Sequence, residues 1–113
     1  MTSQAGRLLP VEFTWRTETQ LDVDYILFLQ LLDADGALVA QHDSPPNGGY
    51  TPTSTWPVSQ PLTSRQALLL PQNLSPGAYR LIAGLYDPAT GRRLTLDNNS
   101  DFVELGRVTV IAA

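Results

Sequence analysis

Few side chains in this sequence are equipped for chemistry, and the most obvious is His42, its only histidine. Asp43 and Ser44 follow it directly, so the three residue types of a nucleophilic triad stand side by side. The spacing argues against a triad. Neighbours on an extended strand point to opposite faces and do not converge on one attacking oxygen. No Gly-x-Ser-x-Gly elbow accompanies them either, and His42 is expected on a surface or rim. One histidine and no cysteine rule out zinc sites of the thiolate or imidazole kind. Calcium, which takes oxygen ligands, has two candidate runs. Asp33-Ala34-Asp35-Gly36 opens like a calcium loop but lacks the later ligands and the closing glutamate, so it reads as a hairpin turn. Asp97, Asn98, Asn99 and Asp101 are the more open calcium candidate, with a solvated turn as the alternative. Carboxylate pairs (Asp22 with Asp24, Asp97 with Asp101) would serve a glycosidase only across a cleft, roughly 5–9 Å apart. So small a domain offers little cleft. A hydrolase is the least favoured reading.

The aromatic residues point to recognition instead. Tyr50 lies in a proline- and glycine-bearing loop that runs into Trp56, and Tyr86 ends a long apolar alternation. Aromatic faces beside polar side chains suit sugar recognition, because ring faces stack and polar edges bond hydroxyls. The candidate ligand-binding set is Tyr50, Trp56 and Tyr86 for stacking, with Asp43, Asn47 and Asp87 bonding hydroxyls. The competing expectation is that Trp56 plugs one end of the core and pins the loop before it. Asn73-Leu74-Ser75 and Asn98-Asn99-Ser100 match the glycosylation sequon, a short pattern common by chance.

These residues need elements to position them, and the sequence is organised around Leu74 to Pro88. Pro76 and Gly77 make a corner. After it, Tyr79, Leu81, Ala83 and Leu85 alternate with Ala78, Arg80, Ile82 and Gly84, the period of a central strand with one inward face. A tyrosine just past such a corner is similar to the tyrosine corner of immunoglobulin-like sandwiches. Leu9, Val11, Phe13 and Trp15 alternate in the same way, and Pro10 marks an edge strand. Thr17 to Asp24 is a polar link. Tyr25 to Leu32 is apolar on both faces and belongs mid-sheet. Asp35-Gly36 predicts a type I′ turn into Ala37 to Gln41. Asp43 to Thr55 is irregular; a loop of ~12 residues in a compact domain tends to be functional or disordered, and its aromatic anchors favour order. Gln66 to Leu70 is a short strand, and Asp87 to Gly91 turns into a partner strand over Arg93 to Leu96. Phe102 to Ile111 is the last strand, with Gly106 a bulge that switches the inward face. The sum is an all-β, two-sheet antiparallel β-sandwich of seven or eight strands, immunoglobulin-like, with no convincing helix.

Length and composition agree with that frame. The 113 residues suit one domain, with its core over about residues 8–111. Nine prolines and eight glycines beside only 16% charged residues favour short strands joined by turns. The net charge is −4, all seven basic residues are arginines, and they are scattered, so nucleic acid is not an expected partner. No apolar run approaches the ~20 residues of a membrane helix, and the first ten residues hold no signal-peptide core. Direct membrane insertion is not expected of this piece, which reads as excised from a longer polypeptide.

Several blocks together resemble a known domain. They are Phe28 to Asp33 with Asp35-Gly36; Leu38 to Pro46; Gly49; Pro52-Thr53-Ser54-Thr55-Trp56; Leu70-Pro71; Leu74; Pro76-Gly77-Ala78-Tyr79; Gly84-Leu85-Tyr86-Asp87; and Thr90-Gly91-Arg92-Arg93-Leu94. In this order, from about Leu9 to Val110, they look like the C-terminal β-sandwich domain of large membrane proteins from Chloroflexi-type bacteria. Those proteins resemble polyprenyl-phosphate-dependent glycosyltransferases of the protein mannosyltransferase kind. One departure is Pro57-Val58-Ser59-Gln60 after Trp56, where such domains often carry Pro-Gly-Glu. The resemblance implies an extracytoplasmic, non-catalytic accessory module. Its partners would be a glycan or the membrane-embedded transferase domain of the same polypeptide. The other reading is a purely structural spacer.

Overall fold

A computed structural model describes all 113 residues. Seven strands form in chain order: β1 (Thr2–Gln4), β2 (Leu8–Trp15), β3 (Ile26–Leu32), β4 (Leu38–Ser44), β5 (Leu62–Leu69), β6 (Gly77–Tyr86) and β7 (Val103–Ile111). Two short 3-10 turns, Pro46–Gly49 and Thr53–Thr55, lie between β4 and β5. No helix is long and apolar enough to cross a membrane. The strands divide unequally into a five-stranded sheet of order β1-β7-β6-β3-β4 and a two-stranded sheet of β2 and β5.

The core lies between the two sheets. Leu9, Val11 and Leu68 from the small sheet meet Leu27, Leu29, Leu31, Leu81, Ala83, Leu85, Val108 and Val110 from the large one. Each set sits at every second position, because successive side chains of a strand leave on opposite faces. β6 and β3 pair along their length at the centre of the large sheet, from Ile26 opposite Tyr86 to Leu32 opposite Arg80. The organising role expected for Tyr79 through Leu85 therefore holds. Tyr79 is buried and its hydroxyl donates to the carbonyl of Ser75 at 2.7 Å, which ties the corner to the strand it opens.

β3 is covered on both faces, by different means. Leu27, Leu29 and Leu31 enter the core, while Phe28 is buried on the outer face of the sheet. The Arg93 guanidinium lies 4.3 Å above the Phe28 ring centroid. Beneath the ring is Gly84, directly opposite Phe28 in the ladder, where a β-carbon would meet the ring and come within 2.8 Å of the Asp101 carbonyl oxygen.

Pro10 sits where its missing N–H costs nothing. Leu70 N–H donates to the Arg7 carbonyl at 3.0 Å, and in the register of β2 with β5 this turns the backbone groups of Leu9, Val11, Phe13 and Trp15 toward β5. Pro10 therefore faces the open edge, as its position near the strand start suggested. On the opposite edge of the pair, Thr63 and Arg65 face outward and are met by a side chain instead of a strand. The Asn47 amide donates to the Thr63 carbonyl at 3.1 Å and accepts from the Arg65 N–H at 3.2 Å.

Four strands and one turn depart from the expected ones. Ahead of the expected core, Thr2–Gln4 pairs parallel to β7 and Ala5 is buried, so the large sheet is not wholly antiparallel and the core starts before residue 8. β4 runs to Ser44 rather than stopping at Gln41, because its partner β3 continues opposite it. β5 begins at Leu62, four residues early. The expected strand over Arg93 to Leu96 shrinks to one bridge between Tyr86 and Arg93, with one further bond from Leu94 N–H to the Leu85 carbonyl. Finally, the Asp33–Ala37 turn is not type I′. Only Gly36 takes positive φ, at 81°, and a register shift follows at Leu31 and Leu32. Asp33 explains the choice: its carboxylate accepts from the N–H groups of Asp35 and Ala37, which holds Asp35 on the ordinary side of φ.

The bulge in β7 is where it was expected. Leu81 faces Gly106 and Ile82 faces Glu104, so Leu105 is the extra residue. The inward face then changes from Val103 and Leu105 to Val108 and Val110.

Candidate functional site

Two hollows mark the surface near the aromatic candidates, and they lie on opposite sides of one strap, Arg92–Asp101. The larger is a groove of about 550 Å³. It opens because the large sheet is wider than the small one, leaving one end of the core to be closed by irregular chain. Trp15, at the end of β2, forms one wall with the Thr17–Leu21 link. Leu94, Thr95, Leu96, Asp97 and Asn98 of the strap form the other, and Leu85 and Trp56 lie at the floor. The Trp15 ring meets Phe13 edge-on at 5.7 Å, and its indole N–H is buried without an acceptor. Arg16 pairs with Glu18 at 2.9 Å on the rim. The Ser59 hydroxyl, donating at 2.6 Å, and then Arg16 hold the Glu18 carboxyl below the ordinary glutamate range.

The smaller hollow, about 210 Å³, is on the outer face of the large sheet among Phe28, Gln30, Asp43, Tyr86, Gly91 and Arg93. The Tyr86 hydroxyl donates to an Asp43 carboxylate oxygen at 3.0 Å. Burial first, and the Asp43 carboxylate second, raise the Tyr86 phenol above its ordinary value. Arg93 reaches Gln30 at 3.4 Å and Asp101 at 3.5 Å while it covers Phe28. One arginine thus fastens the strap whose other side forms the groove wall.

Of the six residues chosen for sugar stacking and hydroxyl bonding, only Asp43 and Tyr86 are brought together. Trp56 is 3% exposed, belongs to the core, and spends its indole N–H on the Thr51 carbonyl at 2.8 Å. Only a sliver of it reaches the groove floor, and it behaves as the end plug. Tyr50 is 91% exposed and stands alone on the loop. Asn47 is consumed by the β5 edge and by Thr51. Asp87 accepts from the Ala89 N–H inside its own turn.

The other sequence candidates resolve into local structure. His42 is exposed on β4, and the Ser44 hydroxyl donates to the Gln66 side chain at 2.7 Å, not to His42. Asp24 caps the Thr53–Thr55 turn at the Ser54 N–H, and the Ser54 side chain first, then that N–H, hold its carboxyl below the ordinary aspartate range. In the calcium candidate, Asn98 accepts from the Ser100 N–H and donates to the Phe102 carbonyl, and Asp101 pairs with Arg93. Asp97 makes no hydrogen bond or ion pair and belongs to the groove rim. No group of three or more His, Cys, Asp or Glu side chains is placed to hold a metal ion.

No family model matches the chain, and no curated protein matches it.

The sequence reading missed the groove, and for an identifiable reason. Thr17 to Asp24 reads as a linker and Leu94 with Leu96 reads as a strand, so nothing in either segment announces that they face each other. The one legible signal is the inward alternation that ends on Trp15, an aromatic at the last position of a strand in the narrower sheet.

Proposed function

We propose that this chain is an immunoglobulin-like sandwich serving as a non-catalytic accessory module, and that its working surface is the groove between Trp15 and the strap. The immunoglobulin-like plan is supported by the Tyr79 to Ser75 corner bond and by the two facing sheets with their shared core. The volume of the groove carries the functional reading: about 550 Å³ falls inside the roughly 300–1,000 Å³ of small-molecule sites. The resemblance to the C-terminal domains of membrane glycosyltransferases supports an extracytoplasmic setting, with a glycan or the transferase domain of the same polypeptide as partner. A purely structural spacer is the second reading, and the burial of Trp56 favours it, since the most prominent aromatic of the loop is spent on the core.

A fragment screen across chemical classes, read by tryptophan emission and by indole N–H resonances, separates the two. A binding module yields at least one class that saturates at the groove and is lost in Thr95→Trp, which adds bulk to an exposed position of the wall. A spacer yields no saturating class, or hits that Thr95→Trp retains unchanged.

A further inference from the structure

We infer that the groove takes a neutral, polyhydroxylated ring, one sugar unit of a glycan, in preference to a phosphate or an acyl chain. The inference rests on reading the groove as the contact surface, and its charge, its walls and its unpaired groups each narrow the class.

Charge comes first. The only cation on the rim, Arg16, is held by Glu18 at 2.9 Å, and Asp97 carries an unpaired negative charge. The rim is net negative on a chain of net charge −4, a field that repels anions. Phosphate, sulfate and acidic polymers are disfavoured. The free hydrogen-bonding groups come second. Thr19, Thr95 and Asp97 line the groove, and their side chains make no hydrogen bond within the protein. An acyl chain seated there would strip water from all three and return nothing, the costly case for polar groups. A hydroxyl-rich ligand gives each a partner, with the carboxylate accepting from two hydroxyls and the threonines both donating and accepting. The walls come third: Trp15, Leu21 and Leu94, each partly exposed, supply an apolar surface for the C–H face of a sugar ring. A mixed lining of this kind, apolar with a few polar groups at its edge, suits a ligand that is itself two-sided.

The test uses the whole chain, 15N-labelled, titrated separately with mannotriose, cellotriose, inorganic phosphate and 1-octanol. The expected result is saturable movement of the Trp15 and Trp56 indole resonances with at least one trisaccharide, in the millimolar range or tighter, and none with phosphate. Asp97→Ala should then weaken that trisaccharide at least fivefold and Thr19→Ala at least twofold. Both positions are exposed, and neither substitution should move the melting temperature. Saturation by octanol or phosphate without any trisaccharide overturns the ligand class and leaves the groove as a binding site. No saturation by any probe, beside an empty fragment screen, overturns both readings. Trisaccharide binding unchanged by Asp97→Ala overturns the assignment to this rim.

Discussion

Gly84→Ala asks whether the outer face of the large sheet is packed as described, because two effects give the substitution opposite signs. Glycine inside a strand is disfavoured relative to alanine by roughly 0.5–1 kcal/mol, so on an open face the change would stabilise. Here the new β-carbon would come within 2.8 Å of the Asp101 carbonyl and against the Phe28 ring. Neither neighbour gives way freely. Phe28 is held from above by Arg93 at 4.3 Å, and Arg93 is held by Asp101, on the chain that supplies the other clash. Overpacking of a rigid site costs about 1–3 kcal/mol, and taking the upper end against the propensity gain leaves a net loss of about 2 kcal/mol. Unfolding entropy of about 2.1 cal/mol/K per residue over 113 residues converts this to a fall in Tm of about 8 °C. Circular-dichroism melts and urea titration measure it, with Phe28→Leu as the second background. Phe28→Leu removes the ring contacts and leaves the strap in place with only the Asp101 carbonyl against the new β-carbon, so the cost of Gly84→Ala should fall without vanishing. A rise in Tm for Gly84→Ala, or an equal cost in both backgrounds, would refute the packing.

Two further outcomes follow from bonds already described. Tyr79→Phe removes the corner bond to the Ser75 carbonyl at 2.7 Å; at about 1 kcal/mol net for such a bond, thermal melts should show a Tm about 4 °C lower with the fold retained, and an unchanged Tm would remove the corner's role. Tyr86 has its folded pKa raised above 10.0 by burial and by Asp43, so its contribution to stability is whole below pH 10 and is lost as pH rises through the raised value. Urea midpoints measured from pH 8 to 11 should therefore fall more steeply for the parent than for Tyr86→Phe, and parallel curves would contradict the assignment.

The legible part of this fold is the part governed by period. Tyr79, Leu81, Ala83 and Leu85 are readable as an inward face because a strand repeats every two residues, whatever it packs against. Gly106 was readable as a bulge for the same reason, since the apolar parity changes across it. The illegible part depends on partners distant in sequence. Asn47 looked like a ligand-bonding amide; only the approach of β5 shows it standing in for a missing strand at Thr63 and Arg65. Phe28 looked like one more apolar residue of a doubly covered strand. That its cover is Arg93, sixty-five positions later, could not be read from either segment.

The division between those two classes of residue bears on function. The blocks that carry the resemblance to transferase-linked domains fall on fold positions: the corner at Pro76 to Tyr79, the plug at Trp56, the turn at Asp87 to Gly91, and the Gly84, Phe28 and Arg93 stack. The groove rim falls outside them, on Thr17 to Leu21 and on Thr95 to Asn98. Both rim segments are irregular chain held at their ends, the first by the bond from the Ser59 N–H to the Thr17 carbonyl and the second by Arg93. Such segments tolerate substitution without disturbing the scaffold beneath them. On the proposed reading, a module of this design would keep its shape through the blocks and set its ligand through the rim. Similarity across the blocks alone therefore says little about what the groove would bind, and the proposed choice between ligand classes is put to the test at Thr19, Thr95 and Asp97.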